Sequence, residues 1–175
     1  MVFKLSAFSA SLIFVFLGIA NTGSAAVLQN QLQDNPSAYL ALHGSDPVAW
    51  QEWNDEVLAK AKAENKLIFL SIGYFSCHWC HVMQRESYKD QVVAQVINEH
   101  FIPVKIDREL EEALDARMIE FTEKTRGRAG WPLNVFITPE GYPLHAALYL
   151  PRDEFLQLIN KLKELWSADN AGMKA

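Results

Sequence analysis

The sequence predicts an α/β domain with a central sheet of about four strands flanked by helices. Three observations carry that reading. Leu67-Ile68-Phe69-Leu70-Ser71-Ile72-Gly73 is a short, nearly continuous apolar run, as expected of a strand covered on both faces. Phe101-Ile102-Pro103-Val104-Lys105-Ile106-Asp107 is a second strand of similar length. Between and around these runs, apolar residues recur at helical spacing, so strands alternate with helices along the chain.

Taken in order, residues 27–45 form a Gln- and Asn-rich arm with little periodicity and at most a helical turn. Asp46 followed by Pro47 is a favourable helix start, an N-cap with proline in the first turn, and Trp50, Trp53, Val57, Leu58 and Ala61 continue it at helical spacing. The tryptophans of that helix are expected in the core rather than on a binding face. After the first strand, one helix is expected from about Cys77 towards Tyr88 and another from Asp90 to about His100. Glu109 to Lys124 is a helix whose acidic first turn suits the positive end of its dipole, and Gly127 and Gly130 end it. Trp131 to Thr138 is a third strand, Pro139-Glu140-Gly141-Tyr142 a tight turn, and Pro143 to Leu150 a fourth strand returning antiparallel. Pro151-Arg152-Asp153 opens a last helix with Phe155, Leu156, Ile159, Leu162 and Trp166 on one face. Residues 46–168 thus read as one domain, with a frayed tail over 169–175.

Composition narrows the function classes. With 175 residues, 50% hydrophobic and 21% charged, the chain can bury a core without staples. A formal net charge of -5, with Lys and Arg scattered, provides no basic surface for nucleic acid. At the N-terminus, Lys4 precedes an apolar stretch through Ala20 and then Asn21-Thr22-Gly23-Ser24-Ala25-Ala26, the pattern of a secretory signal over residues 1–26 cleaved after Ala25 or Ala26. The apolar stretch is shorter than the ~20 residues of a spanning helix, so no membrane attachment is expected after cleavage. The expected location is the periplasm or the exterior.

Ser76-Cys77-His78-Trp79-Cys80-His81 holds the only two cysteines. A bridge between such near neighbours closes almost no loop and constrains the unfolded chain very little, so redox chemistry explains the pair better than stability does. Where a strand feeds a helix, the helix N-terminus favours the thiolate of the first cysteine, by ~0.3 to 1 kcal/mol in ordinary cases. His78 is the nearest further cation, with Arg126 or Arg128 as others. Trp79 offers an aromatic surface to substrate or packs beside the pair. The same string is also C-x-x-C-H, the attachment pattern of c-type haem, although an apolar strand leading straight into it leaves no haem pocket. Zinc is a third reading, but His78 and His81 lie beside the cysteines rather than on a separate knuckle. A binding module whose cysteines merely bridge is a fourth. Neither a metal nor another cofactor is expected.

This order of elements, with a helix opening at the C-x-x-C and a proline at the start of the third strand, resembles the thioredoxin order. The resemblance implies a cis Trp131-Pro132 peptide lying against the active-site pair, with Cys77 as the nucleophile and Cys80 as the resolving thiol. It also implies that Ser71 stands where thioredoxins often keep a buried acid for proton transfer. More particularly, Asp46-Pro47-Val48 with Trp50 and Trp53, Glu64-Asn65-Lys66, Cys77-His78-Trp79-Cys80-His81-Val82-Met83, Asp107-Arg108-Glu109 and Gly130-Trp131-Pro132-Leu133 are similar to the thioredoxin-like domain of the spermatogenesis-associated protein 20 family. Longer members carry a large helical domain after this one, and the sequence is expected to be a stand-alone, exported version. The resemblance implies a thiol-disulfide oxidoreductase whose partners are protein thiols or disulfides and a redox partner yet to be identified.

Overall fold

The computed structural model describes residues 28–174, so the export signal read over residues 1–26 lies outside the described residues. The elements run α1 (Ala38–Ala41), α2 (Asp55–Glu64), β1 (Leu67–Gly73), α3 (His78–Met83), α4 (Gln91–His100), β2 (Phe101–Asp107), α5 (Glu112–Arg126), β3 (Leu133–Ile137), β4 (Pro143–Ala147) and α6 (Arg152–Lys174). A single π-turn, Gln84–Tyr88, continues α3. The sheet order is β2-β1-β3-β4, with β1 parallel to β2 and antiparallel to β3, and β3 antiparallel to β4.

Because side chains alternate across a strand, β1 divides the core in two. Leu67 and Phe69 face a cluster completed by Phe101, Phe136, Tyr88, Met83, Ile97, Phe155 and Ile159. Ile68, Leu70 and Ile72 face the opposite cluster, with Val104, Val135, Val57, Ala61 and Met118. Phe69 stacks on Phe136 with ring centroids 5.1 Å apart, and such aromatic pairs add ~0.5 to 1.5 kcal/mol beyond their buried area.

The chain departs from the sequence expectation at Asp46-Pro47. No helix begins there. α2 starts at Asp55, with the Asn54 side chain accepting from the Val57 N–H. The Asp46 carboxylate instead accepts the Trp50 indole N–H at 3.1 Å and the Gln84 side-chain amide at 2.9 Å, and it lies 2.6 Å from His43 Nδ1. Trp50 is fully buried, and its neighbour Gln51 makes an isolated parallel bridge to β2, its N–H donating to the Pro103 carbonyl and its carbonyl accepting from the Lys105 N–H. These long-range bonds outweigh a good local helix start.

Three further differences follow from side-chain capture and packing. The arm at residues 27–45 enters the core through Leu32, Tyr39, Leu40 and His43, all buried. α5 starts at Glu112 instead of Glu109, because the Asp107 carboxylate takes the Glu109 N–H and its carbonyl takes those of Leu110 and Glu111, making a turn. The last helix continues to Lys174, through the residues expected as a tail.

His43 is enclosed and its pKa falls to about 4, because burial and the charge of Lys105 outweigh the Asp46 carboxylate. The neutral ring then donates its Nδ1–H to Asp46. Since the folded value lies below the ordinary ~6.5, the unfolded chain takes up this proton first as the pH falls. The protein should therefore lose stability between about pH 6.5 and 4. Urea midpoints measured across that range should show the loss, and His43→Gln should flatten it.

Candidate active site

β1 ends at Gly73, and Tyr74-Phe75-Ser76 turns the chain into α3, whose N-cap is Cys77. The Cys77 N–H donates to the Tyr74 carbonyl at 3.1 Å, and His81 Nε2 lies 2.7 Å from the Phe75 carbonyl, so both ends of the turn are tied to the helix. Cys77 Sγ accepts the Cys80 N–H at 3.2 Å, as a capping hydroxyl would. Cys77 and Cys80 are joined as a disulfide, with 4% and 1% of their surface exposed, so Cys77 is the slightly more accessible member.

The side chains singled out in the sequence divide around this pair. His78 is exposed with its ring edge-on to Trp79, and Trp79, 51% exposed, lies 4.7 Å from the Tyr149 ring. Tyr149 in turn donates to the Glu86 carboxylate at 2.7 Å. Phe75, 53% exposed, adds a second uncovered aromatic ring on the turn that leads into Cys77. The Trp131-Pro132 peptide is cis, and Trp131 packs edge-on against Tyr74, three residues before Cys77.

Arg126 is committed elsewhere, to the Ala146 carbonyl and to His145. The cation at the tryptophan is Arg108, which sequence reasoning missed. Its guanidinium lies 3.9 Å from the Trp131 ring centroid, while Asp115 accepts the indole N–H at 2.9 Å. Arg108 Nε is 3.3 Å from the same carboxylate, an ion-pair distance without hydrogen-bond alignment. Among the described residues, no three His, Cys, Asp or Glu side chains converge as metal ligands do.

On the face of the sheet that packs against Cys77 and Cys80, a polar row crosses the strands. Ser71 is paired in register with Lys105 on β2 and with Asn134 on β3, and all three are buried. Lys105 Nζ donates to Ser71 Oγ at 2.7 Å, Ser71 lies 2.9 Å from the Tyr88 hydroxyl, and that hydroxyl donates to Asn134 Oδ1 at 2.7 Å. The ammonium also sits 4.8 to 5.3 Å from the ring centroids of Tyr88, Tyr39 and Trp50. Burial pulls the Lys105 pKa down to about 7 against the opposing charge of Asp46. Thus Ser71 carries no acid but holds a buried base. The interruption of two apolar strands by Ser71 and Lys105 was the available sequence signal.

One residue further along that face, Gly73 leaves room for two groups at once. A Cβ there would collide with the Tyr39 hydroxyl and Cys80 Sγ, so these atoms flank the same small space. The Tyr39 hydroxyl is buried with no hydrogen-bond partner among the described residues.

A mixed four-stranded sheet with helices on both faces, and a cysteine pair bridged at the head of the helix leaving β1, defines a thioredoxin-like protein. The fold is that of a thioredoxin from Thermus thermophilus, with a TM-score of 0.54 at 21% identity, over 70% of this chain and 92% of that one. The chain belongs to the family described as "Thioredox_DsbH: Protein of unknown function, DUF255", which matches residues 29–175. It is 36% identical over 152 residues to the uncharacterized protein B0495.5 of Caenorhabditis elegans, covering 83% of this chain and 21% of that protein. It is 41% identical over 127 residues to spermatogenesis-associated protein 20 of Rattus norvegicus, covering 73% of this chain and 16% of that protein. The chain therefore spans about a fifth or less of the length of these relatives.

Gly73→Ala should cost roughly 1 to 3 kcal/mol, the usual penalty of overpacking, because the methyl group must displace either the tyrosine ring or the helix carrying Cys80. Chemical unfolding of the oxidised variant beside the parent measures this.

Proposed function

We propose that the protein is a thiol-disulfide oxidoreductase that exchanges disulfides with polypeptide substrates through Cys77 and Cys80 in an exported compartment. The observation that carries the reading is the Cys77–Cys80 disulfide capping α3 beside two uncovered aromatic rings, Phe75 and Trp79. Polypeptide thiols and disulfides suit a surface of this kind, because exposed aromatic rings hold extended chains by area rather than by charge.

In the reduced protein the Cys77 thiolate attacks one sulfur of a substrate disulfide. A Cys77–substrate bond forms, the substrate S–S bond breaks, and its electron pair leaves on the second substrate sulfur, which takes a proton. Cys80 then attacks Cys77 Sγ, closing the internal disulfide and releasing the first substrate sulfur as a thiol. The protein loses two electrons and the substrate gains two. Run backwards, the same steps oxidise a substrate dithiol. The Cys80 N–H that reaches Cys77 Sγ would stabilise a Cys77 thiolate, which makes Cys77 the attacking group and Cys80 the resolving one. The Arg108 guanidinium adds positive charge over Trp131 and Tyr74, the ring three residues before Cys77, His78 stands exposed beside Cys77, and Trp79 offers contact surface.

Cys80→Ser should accumulate disulfide-linked adducts through Cys77 that non-reducing gels resolve, whereas Cys77→Ser should accumulate none and lose insulin reduction. A Cys80→Ser protein that captures no partner in its native compartment would sink the reading. For the compartment, Edman sequencing of the protein recovered from the periplasm or medium should begin at Ala26 or Val27; an intact Met1 on the functional protein would count against export.

A further inference from the structure

The exchange mechanism needs Cys80 as a thiolate at the resolving step, yet Cys80 is 1% exposed and its sulfur has no carboxylate beneath it at Ser71. We infer that the Tyr39 hydroxyl is the hydrogen-bond donor that stabilises the Cys80 thiolate during resolution, and that Gly73 keeps open the space in which the two meet. This deepens the proposed function and rests on it.

Two observations point the same way. Among the described residues the Tyr39 hydroxyl is a buried donor with no acceptor while the disulfide is closed, a state that costs stability and calls for an explanation. The hydroxyl and Cys80 Sγ also flank the one gap that a side chain on Gly73 would fill. A disulfide sulfur is a poor acceptor and a thiolate a strong one, so the donor idles in the oxidised protein and has a partner only in the reduced one.

The ring is held in place from several sides. Lys105 Nζ lies 5.2 Å from its centroid and His43 packs against it edge-on with centroids 5.2 Å apart. The other titratable groups acting on Tyr39 are Tyr88, Asp46 and Asp107. Each already has a partner: Asp46 binds Trp50 and Gln84, Asp107 accepts the Ser37 hydroxyl at 2.7 Å, and Tyr88 donates to Asn134. None of the three satisfies the Tyr39 hydroxyl.

In the resolving step Cys80 gives up its proton and its thiolate attacks Cys77 Sγ. The Cys77–substrate bond breaks as the Cys77–Cys80 bond forms, and the released substrate sulfur takes up one proton, so protons and electrons balance. Tyr39 keeps its own proton throughout and lends it as a hydrogen bond.

The test follows reduced protein mixed with excess oxidised glutathione, acid-quenched and read by mass spectrometry, which separates formation of the Cys77–glutathione adduct from closure of the internal disulfide. In Tyr39→Phe, adduct formation should be unchanged. Closure near pH 7 should slow by about tenfold, the lower end for loss of a hydrogen bond to a charged group, and its pH midpoint should rise by about one unit. Thermal unfolding of the oxidised variant should match or exceed that of the parent, since no hydrogen bond is lost in that state. Unchanged closure with an unchanged pH midpoint would overturn the inference while leaving the exchange reading intact. A less stable oxidised Tyr39→Phe protein would also overturn it, because the hydroxyl would then have a structural partner. A parent protein that neither forms the glutathione adduct nor closes its internal disulfide would overturn the exchange reading and this inference with it.

Discussion

Burying an ammonium group away from water is expensive, and the core of this protein is arranged around doing so at Lys105. Among the described residues no carboxylate pairs with it directly. Its Nζ spends one hydrogen bond on Ser71 and turns its remaining charge towards the faces of Tyr39, Trp50 and Tyr88. That choice dictates much of the surrounding sequence. Ser71 must be small and polar in the middle of an apolar strand, Asn134 must stand across from it to take the Tyr88 hydroxyl, and the segment before α2 must give up its helix so that Trp50 can reach the cage. Asp46 holds that segment by accepting from Trp50 and Gln84, which joins the N-terminal part of the chain to the π-turn after α3.

The Cys77–Cys80 disulfide stands at the edge of this arrangement. Cys80 lies on the same face of the sheet as the row, and Tyr39, whose ring shields the lysine, presents its hydroxyl to the space beside the sulfur. One tyrosine therefore belongs to both systems. On the outer side, Trp131 is fixed by Asp115 and covered by Arg108, which leaves Phe75 and Trp79 as the uncovered aromatic surface next to the disulfide.

How far the sequence reveals this depends on the range of the forces involved. β1 and β2 have the bounds their apolar runs announce, because runs of that length are too short for a helix of usual size and suit a strand covered on both faces. Cys77 and Cys80 stand out because they are the only cysteines and sit three residues apart after a strand. Asp46-Pro47 misleads, since its local helix-start chemistry is sound and is overridden by bonds to Gln84 and β2 that no nearby residue signals. Tyr39 is hidden by a segment without periodicity, and its relation to Cys80 exists only once Gly73 lies between them. Lys105 and Ser71 are 34 residues apart, and only the register of two strands makes them neighbours.

The short pairing of Gln51 along the outer side of β2 has a consequence for how the molecule meets others. A sheet margin with free amides and carbonyls invites a foreign strand to join it. Here Gln51 occupies the Pro103 carbonyl and the Lys105 N–H, while Pro103 itself has no N–H to offer. The protein uses one residue of its own chain to occupy the outward ladder groups of β2 nearest the buried lysine, so a strand seeking to extend the sheet would find those groups already taken.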